Sequence, residues 1–482
     1  MVRFVKDIGG PKRPHLPPRK SSATLSSILR DGRAPDPEAD TGAEPPSASE
    51  SDIQARLLQS FITHVLEEYM LALTSSQDVP GLAWCVRLQE KLHPERTIPG
   101  KTTMTKQFES DESLHARLTT VGELLALARD MNLSTQELLA AAETAENSGP
   151  LLPSIEEDEP PKSASDIPLS KAGSLLLFTA RAVVRTLYTN RESQSDLAIF
   201  PDHQKLLKDF VSEPAGSSGA TVGMEAEAVL DALLALAVLA IEDDRVGEPV
   251  DDEQFNQYLQ VLALVSSNAP SPILRYHAYY VTTTILRSNP SDMARLAFIR
   301  DTLEHCPFDN LKVAAVSWIK GETIEANPST LQTTRTSISG SDDRSSSVFG
   351  TSVALDTLAP FLFPDLTHDL SAAEVASSWL IFEQNLHFYL ASLNFYYLLL
   401  SATHLHKALN IPGLHTNNDV AGSFLHPLRV ASQRYKAEVE AGGELAAKWN
   451  EDGSTAANLA ELQLIDATLE KVTQAVSRLN QC

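Results

Sequence analysis

The chain has 482 residues, 43% of them apolar and 21% charged, a balance that can bury a sizeable core. Its formal charge of -24 is far from ordinary: so acidic a body repels phosphate backbones at long range, which excludes generic DNA or RNA binding and attracts a basic partner surface. Three cysteines (Cys85, Cys306 and Cys482) are too few for a disulfide framework and fit a reducing compartment.

In chain order, MVRFVKDIGG has no apolar run of signal-peptide length and contains Asp7. Residues 1–50 read as a disordered arm, basic then acidic. Arg3, Lys6, Lys12, Arg13, Arg19 and Lys20 stand against Asp7, and Pro, Ser, Gly and acidic residues dominate from residue 9 onward. Within the arm, PKRPHLPPRK suits either a weak nuclear-import or adaptor-binding tract or a solvated tail. N-terminal helices are expected over 51–146. Ile53, Leu57, Leu58, Phe61, Val65, Leu66, Tyr69 and Leu73 recur at three- and four-residue intervals, with Ser51 as the N-cap. Further helices are expected around Leu82–Leu92, Leu114–Met131 and Ser134–Glu146. Residues 147–170, with SIEEDEPPKSASD, read as an acidic, proline-rich linker.

Central helical repeats are expected over 171–326, with helices around Gly173–Tyr188, Met224–Ile241 and Glu253–Ser266. SLLLFTARAVVRTLY and AVLDALLALAVLAI are apolar over most of their circumference, so each needs neighbours on both sides. The Gly/Ser stretch 213–223 and the Ser/Thr-rich loop 327–351 are expected to be mobile, like the 147–170 linker, because such compositions bury too little apolar surface to offset ordering entropy. The clustered hydroxyls of 327–351 also suit regulation by phosphorylation. C-terminal helices follow over 352–482. There, LIFEQNLHFYLASLNFYYLLLSAT (380–403) is the strongest membrane candidate. Glu383, Gln384, Asn385, His387 and Asn394 interrupt it, so it reads as one buried helix. In the last segment Leu462, Leu469 and Val476 share one seven-residue register and Ile465, Val472 and Leu479 another, a face for docking on the stack or for self-association. No period-two alternation bounded by tight-turn residues occurs. The fold class expected is all-α, a HEAT/armadillo-like helical-repeat stack with a disordered N-terminal arm and polar loop insertions.

The stretch 271–322 is the most informative. Ile273, Leu274, His277, Ala278, Val281 and Ile285 form a helical face, and Asn289-Pro290 is a turn signal. Ser291 caps a second helix with Leu296, Ile299 and Leu303 on one side. Pro307 stops that helix, since it lacks an amide donor and clashes with the preceding turn. Asp309 or Asn310 then caps a third helix in which Leu311, Ala314, Ala315, Trp318 and Ile319 match the amphipathic template. Three antiparallel helices with two proline-marked turns make a repeat unit. Cys306 lies at a helix C-terminus, where the dipole raises a thiol pKa, and no Cys-x-x-Cys accompanies it. It is the one redox candidate.

The residues LRYHAYYVTTTILRSNPSDMARLAFIRDTLEHCPFDNLKVAAVSWIKGE (274–322) resemble the characteristic segment of the Yap-binding protein/Alf4/glomulin family. The shared features are an arginine-bearing helix (Arg275), a Phe-Ile helix (Phe298, Ile299) leading to a Cys-Pro turn (Cys306, Pro307), and a Leu-Lys helix bearing a tryptophan (Leu311, Lys312, Trp318). The resemblance implies an α-helical, HEAT-like scaffold without enzymatic activity. Fungal members are adaptors of the oxidative-stress response that bind an AP-1-like (bZIP) transcription factor, and a related branch is linked to kinetochores. The animal member, glomulin, binds the RING-box subunit of cullin ubiquitin ligases through its C-terminal half.

Motifs for chemistry are missing. His404 and His406 are two apart and point to different sides of a helix, so they do not converge on a metal. EDDRVGEPVDDE (242–253) lacks EF-hand spacing. GSSGATVG follows no strand and has no phosphate-binding lysine. The expectation is therefore no catalytic residue, cofactor or metal. A protein partner is expected, either a bZIP factor or a RING-box/cullin subunit, with no direct nucleic-acid or membrane contact. The chain is expected to be monomeric and cytoplasmic, with the nucleus as a second location.

Overall fold

A computed structural model describes residues 48–73, 79–143, 161–189, 197–211, 222–328, 347–371 and 374–479. Among these residues there are twenty α-helices and no strand. The expectations for residues 1–47, for 147–160, for 213–221, for 329–346 and for Cys482 lie outside the described residues. The chain divides into two compact units, residues 1–249 with 264–281, and 250–263 with 282–482.

The first unit opens with α1 (Ala48–Leu71), α2 (Trp84–Leu92), α3 (Met104–Ser110), α4 (Glu112–Asp130) and α5 (Thr135–Ala142). After it come α6 (Lys171–Tyr188), α7 (Gln204–Phe210) and α8 (Glu227–Glu242). The two helices read as apolar all round are the centre of this unit. Ala228 to Ala240 of α8 are buried without a break, and α8 packs on α1, α2 and α6. The α6 helix packs in turn on α1, α4 and α5. At Gly173, the third residue of α6, an added Cβ would sit 1.9 Å from the Thr63 carbonyl oxygen, so only glycine allows α1 and α6 to approach this closely.

α1 begins at Ala48, so Ser51 is an exposed residue inside the helix and not its cap. Its buried line is Ile62, Leu66 and Met70, whereas Leu57 is 48% exposed; the face turned inward is rotated from the one the spacing suggested. α2 starts at Trp84 because Ala83 adopts a left-handed backbone, with φ of 47°. The short helices α3 and α7 were not anticipated; each has only two turns and too little periodicity to register. The described end of the 147–170 stretch is not a mobile linker. Ile167, Leu169 and Ser170 are buried, the carbonyl of Ile167 accepts from Arg56, and that of Pro168 accepts from Ser60.

Two helices contribute to both units, α9 (Asp252–Asn268) and α10 (Pro272–Ser288). The second unit continues with α11 (Asp292–His305), α12 (Asp309–Ala326), α13 (Ser352–Leu362), α14 (Val375–Gln384) and α15 (Leu386–Ser401). It closes with α16 (Leu405–Ala408), α17 (Ile411–Asn417), α18 (His426–Glu440), α19 (Glu444–Glu451) and α20 (Thr455–Leu479). The run 380–403 is two helices rather than one. Asn385 breaks it by donating its amide to the Ile381 carbonyl, and Leu380 on the earlier piece is 47% exposed. The later piece, α15, is the buried axis, packed on α12 and α20. An aromatic cluster locks the end of the unit: Trp379 meets Trp449 with ring centroids 4.6 Å apart, and Tyr435 at 5.2 Å. On α20, Leu462, Ile465, Leu469 and Val472 are buried, so its apolar face docks within the unit.

Candidate functional site

The segment that carried the family resemblance forms the hairpin α11–α12 together with parts of α10. Ser291 caps α11 by accepting the Ala294 amide at 3.2 Å. α11 ends at His305, and Cys306 and Pro307 supply the extended link to α12. The two helices run antiparallel, since Arg295 and Phe298 meet Glu322 and Trp318 in reverse order. The end of α10 runs parallel to α12, with Thr283 accepting from the Trp318 indole at 2.9 Å and Arg287 reaching Glu322 at 3.8 Å. An up-down-up unit results, as the proline-marked turns required.

The family-segment residues serve this packing. Phe298, Ile299, Leu311 and Trp318 are buried, with the Phe298 and Trp318 rings 5.6 Å apart. Arg275 donates to the carbonyls of Ala269 and Pro270 at 2.7 and 2.9 Å, which satisfies acceptors just past the end of α9. Lys312 lies over the Phe388 ring at 5.8 Å. Pro307 is exposed at the turn. Asp309 departs from its expected role. The residue before the first turn of α12 is Phe308, which makes no side-chain cap, and Asp309 accepts the Phe388 amide at 3.0 Å, capping α15 instead. Cys306 is half-buried, its sulfur 4.0 Å from the Phe308 carbonyl. Burial pushes its thiol pKa up, against smaller opposing contributions from the Phe308 backbone amide and Lys312.

One charged constellation in the hairpin was not foreseen. Arg295 donates to Glu322 at 3.1 Å and to Asp292 at 2.6 Å, and lies 5.5 Å from the Phe349 ring centroid. Asp292 also accepts from the Ser347 hydroxyl at 2.6 Å and the Val348 amide at 2.9 Å. Burial pushes the Asp292 carboxyl up, but these donors and Arg295 outweigh it and hold it below the usual range. Residues 347–351, at the end of the Ser/Thr-rich stretch, are therefore pinned: Phe349 is buried. The sequence did hold a signal. Glu322 falls on the same 311, 315, 318 stripe as the buried apolar residues of α12, and an acid on such a stripe needs a cation. The network borders an open cleft of about 830 Å3 that includes Arg287 and Glu325, already paired with each other.

Elsewhere, Asp231, His203 and His406 are engaged with backbone. Asp231, fully buried in α8, accepts the Trp84 and Cys85 amides at 2.8 and 3.1 Å and so caps α2 from another helix. Burial raises its pKa to about 6 despite those hydrogen bonds. Burial, then the charge of Asp231, pushes the Cys85 thiol well up. His203 is buried against the Leu233 carbonyl, and burial lowers its pKa to about 4. His406 meets the Leu400 carbonyl at 3.0 Å, while His404 is exposed. Among the described residues, no cluster of three His, Cys, Asp or Glu is placed to hold a metal ion, and no helix is long and apolar enough to cross a membrane.

A family model named Kinetochor_Ybp2 and described as an uncharacterised protein family, YAP/Alf4/glomulin, covers residues 1–475. Neither the curated proteins nor the solved structures returned a match.

Proposed function

The chain belongs to the YAP/Alf4/glomulin family, and from that premise we propose that it is a non-enzymatic helical adaptor that binds an AP-1-like (bZIP) transcription factor in the oxidative-stress response. The observation that carries this reading is how the hairpin uses its family residues. Phe298, Ile299, Leu311 and Trp318 are spent on packing, and Asp292 and Glu322 are spent on capping and pairing. Such a construction holds helix surfaces in fixed register, which is what a recognition scaffold needs. The repeats are read as HEAT-like, the location as the cytoplasm with access to the nucleus, and the chain as a monomer. Cys306 acts as part of the turn between the two helices.

The second reading is a glomulin-like block of cullin-RING ubiquitin ligases through the RING-box subunit. The charge of -24 favours it, because an acidic body is attracted to a basic RING surface. The family model's name adds a kinetochore-associated role as a third setting for the same adaptor. Affinity purification of the full chain from its own cells, with and without peroxide, separates them. A bZIP factor that increases with peroxide supports the first. Recovery of cullin and RING-box subunits, or of kinetochore proteins, without a bZIP factor overturns it in favour of the other two.

A further inference from the structure

The turn that leads into α13 is fastened to the family hairpin through one hydroxyl. Ser347 donates to Asp292 at 2.6 Å and accepts the Phe349 amide at 3.3 Å, so a single side chain starts the turn 348–350 and ties it to α11. The Val348 amide reaches the same Asp292 oxygen at 2.9 Å. Phe349, 1% exposed, is the anchor that this fastening holds, and Asn327 just past α12 donates to its carbonyl at 3.3 Å. The turn packs on α11, α12 and α13 at once.

The Ser347 and Asp292 oxygens stand at a separation that a shared proton makes favourable. Esterifying the hydroxyl removes that proton and sets a phosphoryl group of charge about -2 against a carboxylate. Against the pull of burial, its donors and Arg295 hold the Asp292 carboxyl below the usual range, so it is ionised at neutral pH. The adjoining cleft is lined by Arg287 and Arg295 against Asp292, Glu322 and Glu325. Arg295 already bridges Asp292 and Glu322, and Arg287 is paired with Glu325 and lies 3.8 Å from Glu322. Among these described residues two cations face three acids, so the cleft is negative before a phosphate arrives. Ser347 is half-buried, and an enzyme reaches it when the turn opens locally. In the sequence Arg344 stands three residues before it, the spacing at which arginine-directed kinases read a cation.

We propose that Ser347 is a phosphorylation site and that its phosphate releases the Phe349 turn from the α11–α12 hairpin. The Ser347 oxygen forms the new bond to the γ-phosphorus of ATP, the bond from that phosphorus to ADP breaks, and the hydroxyl proton passes to the kinase. The kinase takes Ser347 while the turn is open, and the ester is repelled from Asp292, so the population shifts to the open form. Opening uncovers the seat of Phe349 and the face of Arg295 now 5.5 Å from its ring centroid. The switch acts on the hairpin itself and operates whichever partner the chain holds.

Two measurements on the full chain test it. In the first, phosphoserine is genetically encoded at position 347 and amide hydrogen exchange is followed. The Val348 amide is expected to exchange at least about tenfold faster than in the unmodified chain, while the α8 amides, unchanged, report an intact fold. Ser347→Ala loses the hydroxyl without adding charge and is expected to accelerate exchange far less. Asp292→Asn in the phosphorylated chain removes the facing charge and is expected to restore most of the protection. Unchanged or slower exchange in the phosphorylated chain, or equal acceleration by Ser347→Ala, overturns the proposal. In the second, the chain is incubated with ATP and cAMP-dependent protein kinase, and the phosphate is mapped by mass spectrometry. Incorporation at Ser347 that falls at least about tenfold in Arg344→Ala is expected. No phosphate on Ser347 overturns the proposal as well.

Discussion

Cys306 and Cys85 are both held as thiols by their surroundings, and neither gains a nearby cation strong enough to reverse the effect of burial. Alkylation of Cys306 by iodoacetamide at neutral pH is therefore expected to run no faster than that of free cysteine; a rate tenfold higher would restore a redox role. Asp231 and His203 give the first unit an unusual pH dependence. The His203 pKa falls on folding to about 4, so stability is lost as pH drops from 6.5 towards that value. The Asp231 pKa rises on folding to about 6, so stability is gained as pH drops from 6 towards 3.8. The two nearly cancel between pH 4 and 6. Asp231→Asn removes one of them, so wild type should gain on the variant by up to about 1.4 kcal/mol per pH unit across that window. Denaturant melts at pH 4, 5 and 6 measure it, and a constant difference would show that Asp231 is ionised throughout.

At the scale of helices, the proline turn at Pro307, the Ser291 cap and the buried face of α12 were legible because each is a local rule: a missing amide, a side-chain acceptor, a period of 3.6. The face of α1 was legible only at Leu66: Ile62 and Met70 join it in place of Leu57 where α6 packs on α1, at Gly173 against Thr63, a contact more than a hundred residues away in sequence. The break at Asn385 failed for the same reason, since part of its support is Asp309 from α12. Glu322 and Asp231 were visible as acids on apolar stripes, but their partners were not. Glu322→Gln weakens the charge facing Arg295 and is expected to cost about 1–3 kcal/mol in a urea melt of the second unit. A change under about 0.5 kcal/mol would mean that Asp292 alone suffices. On α20, Leu469 is 1% exposed while Val476 is only half-buried. Leu469→Asp should therefore destabilise by about 3 kcal/mol or more, with Val476→Asp costing far less. Equal, small losses with a change in oligomeric state by light scattering would return this face to self-association.

For the molecule as a whole, the acidic charge and the helical scaffold together argue for recognition rather than turnover. A long-range field attracts and orients partners, and rigid helix faces then select among them. Family membership over residues 1–475 was legible in the sequence from one hairpin, because that hairpin carries its own punctuation. The surfaces that bind partners have no such local grammar. The most direct measurement is calorimetric titration of the purified full chain with the purified bZIP factor recovered from its own cells. The prediction is a saturable 1:1 complex that weakens at least about tenfold as salt rises from low to high ionic strength. No binding heat at any salt, with a tight complex to the RING-box subunit instead, would contradict it.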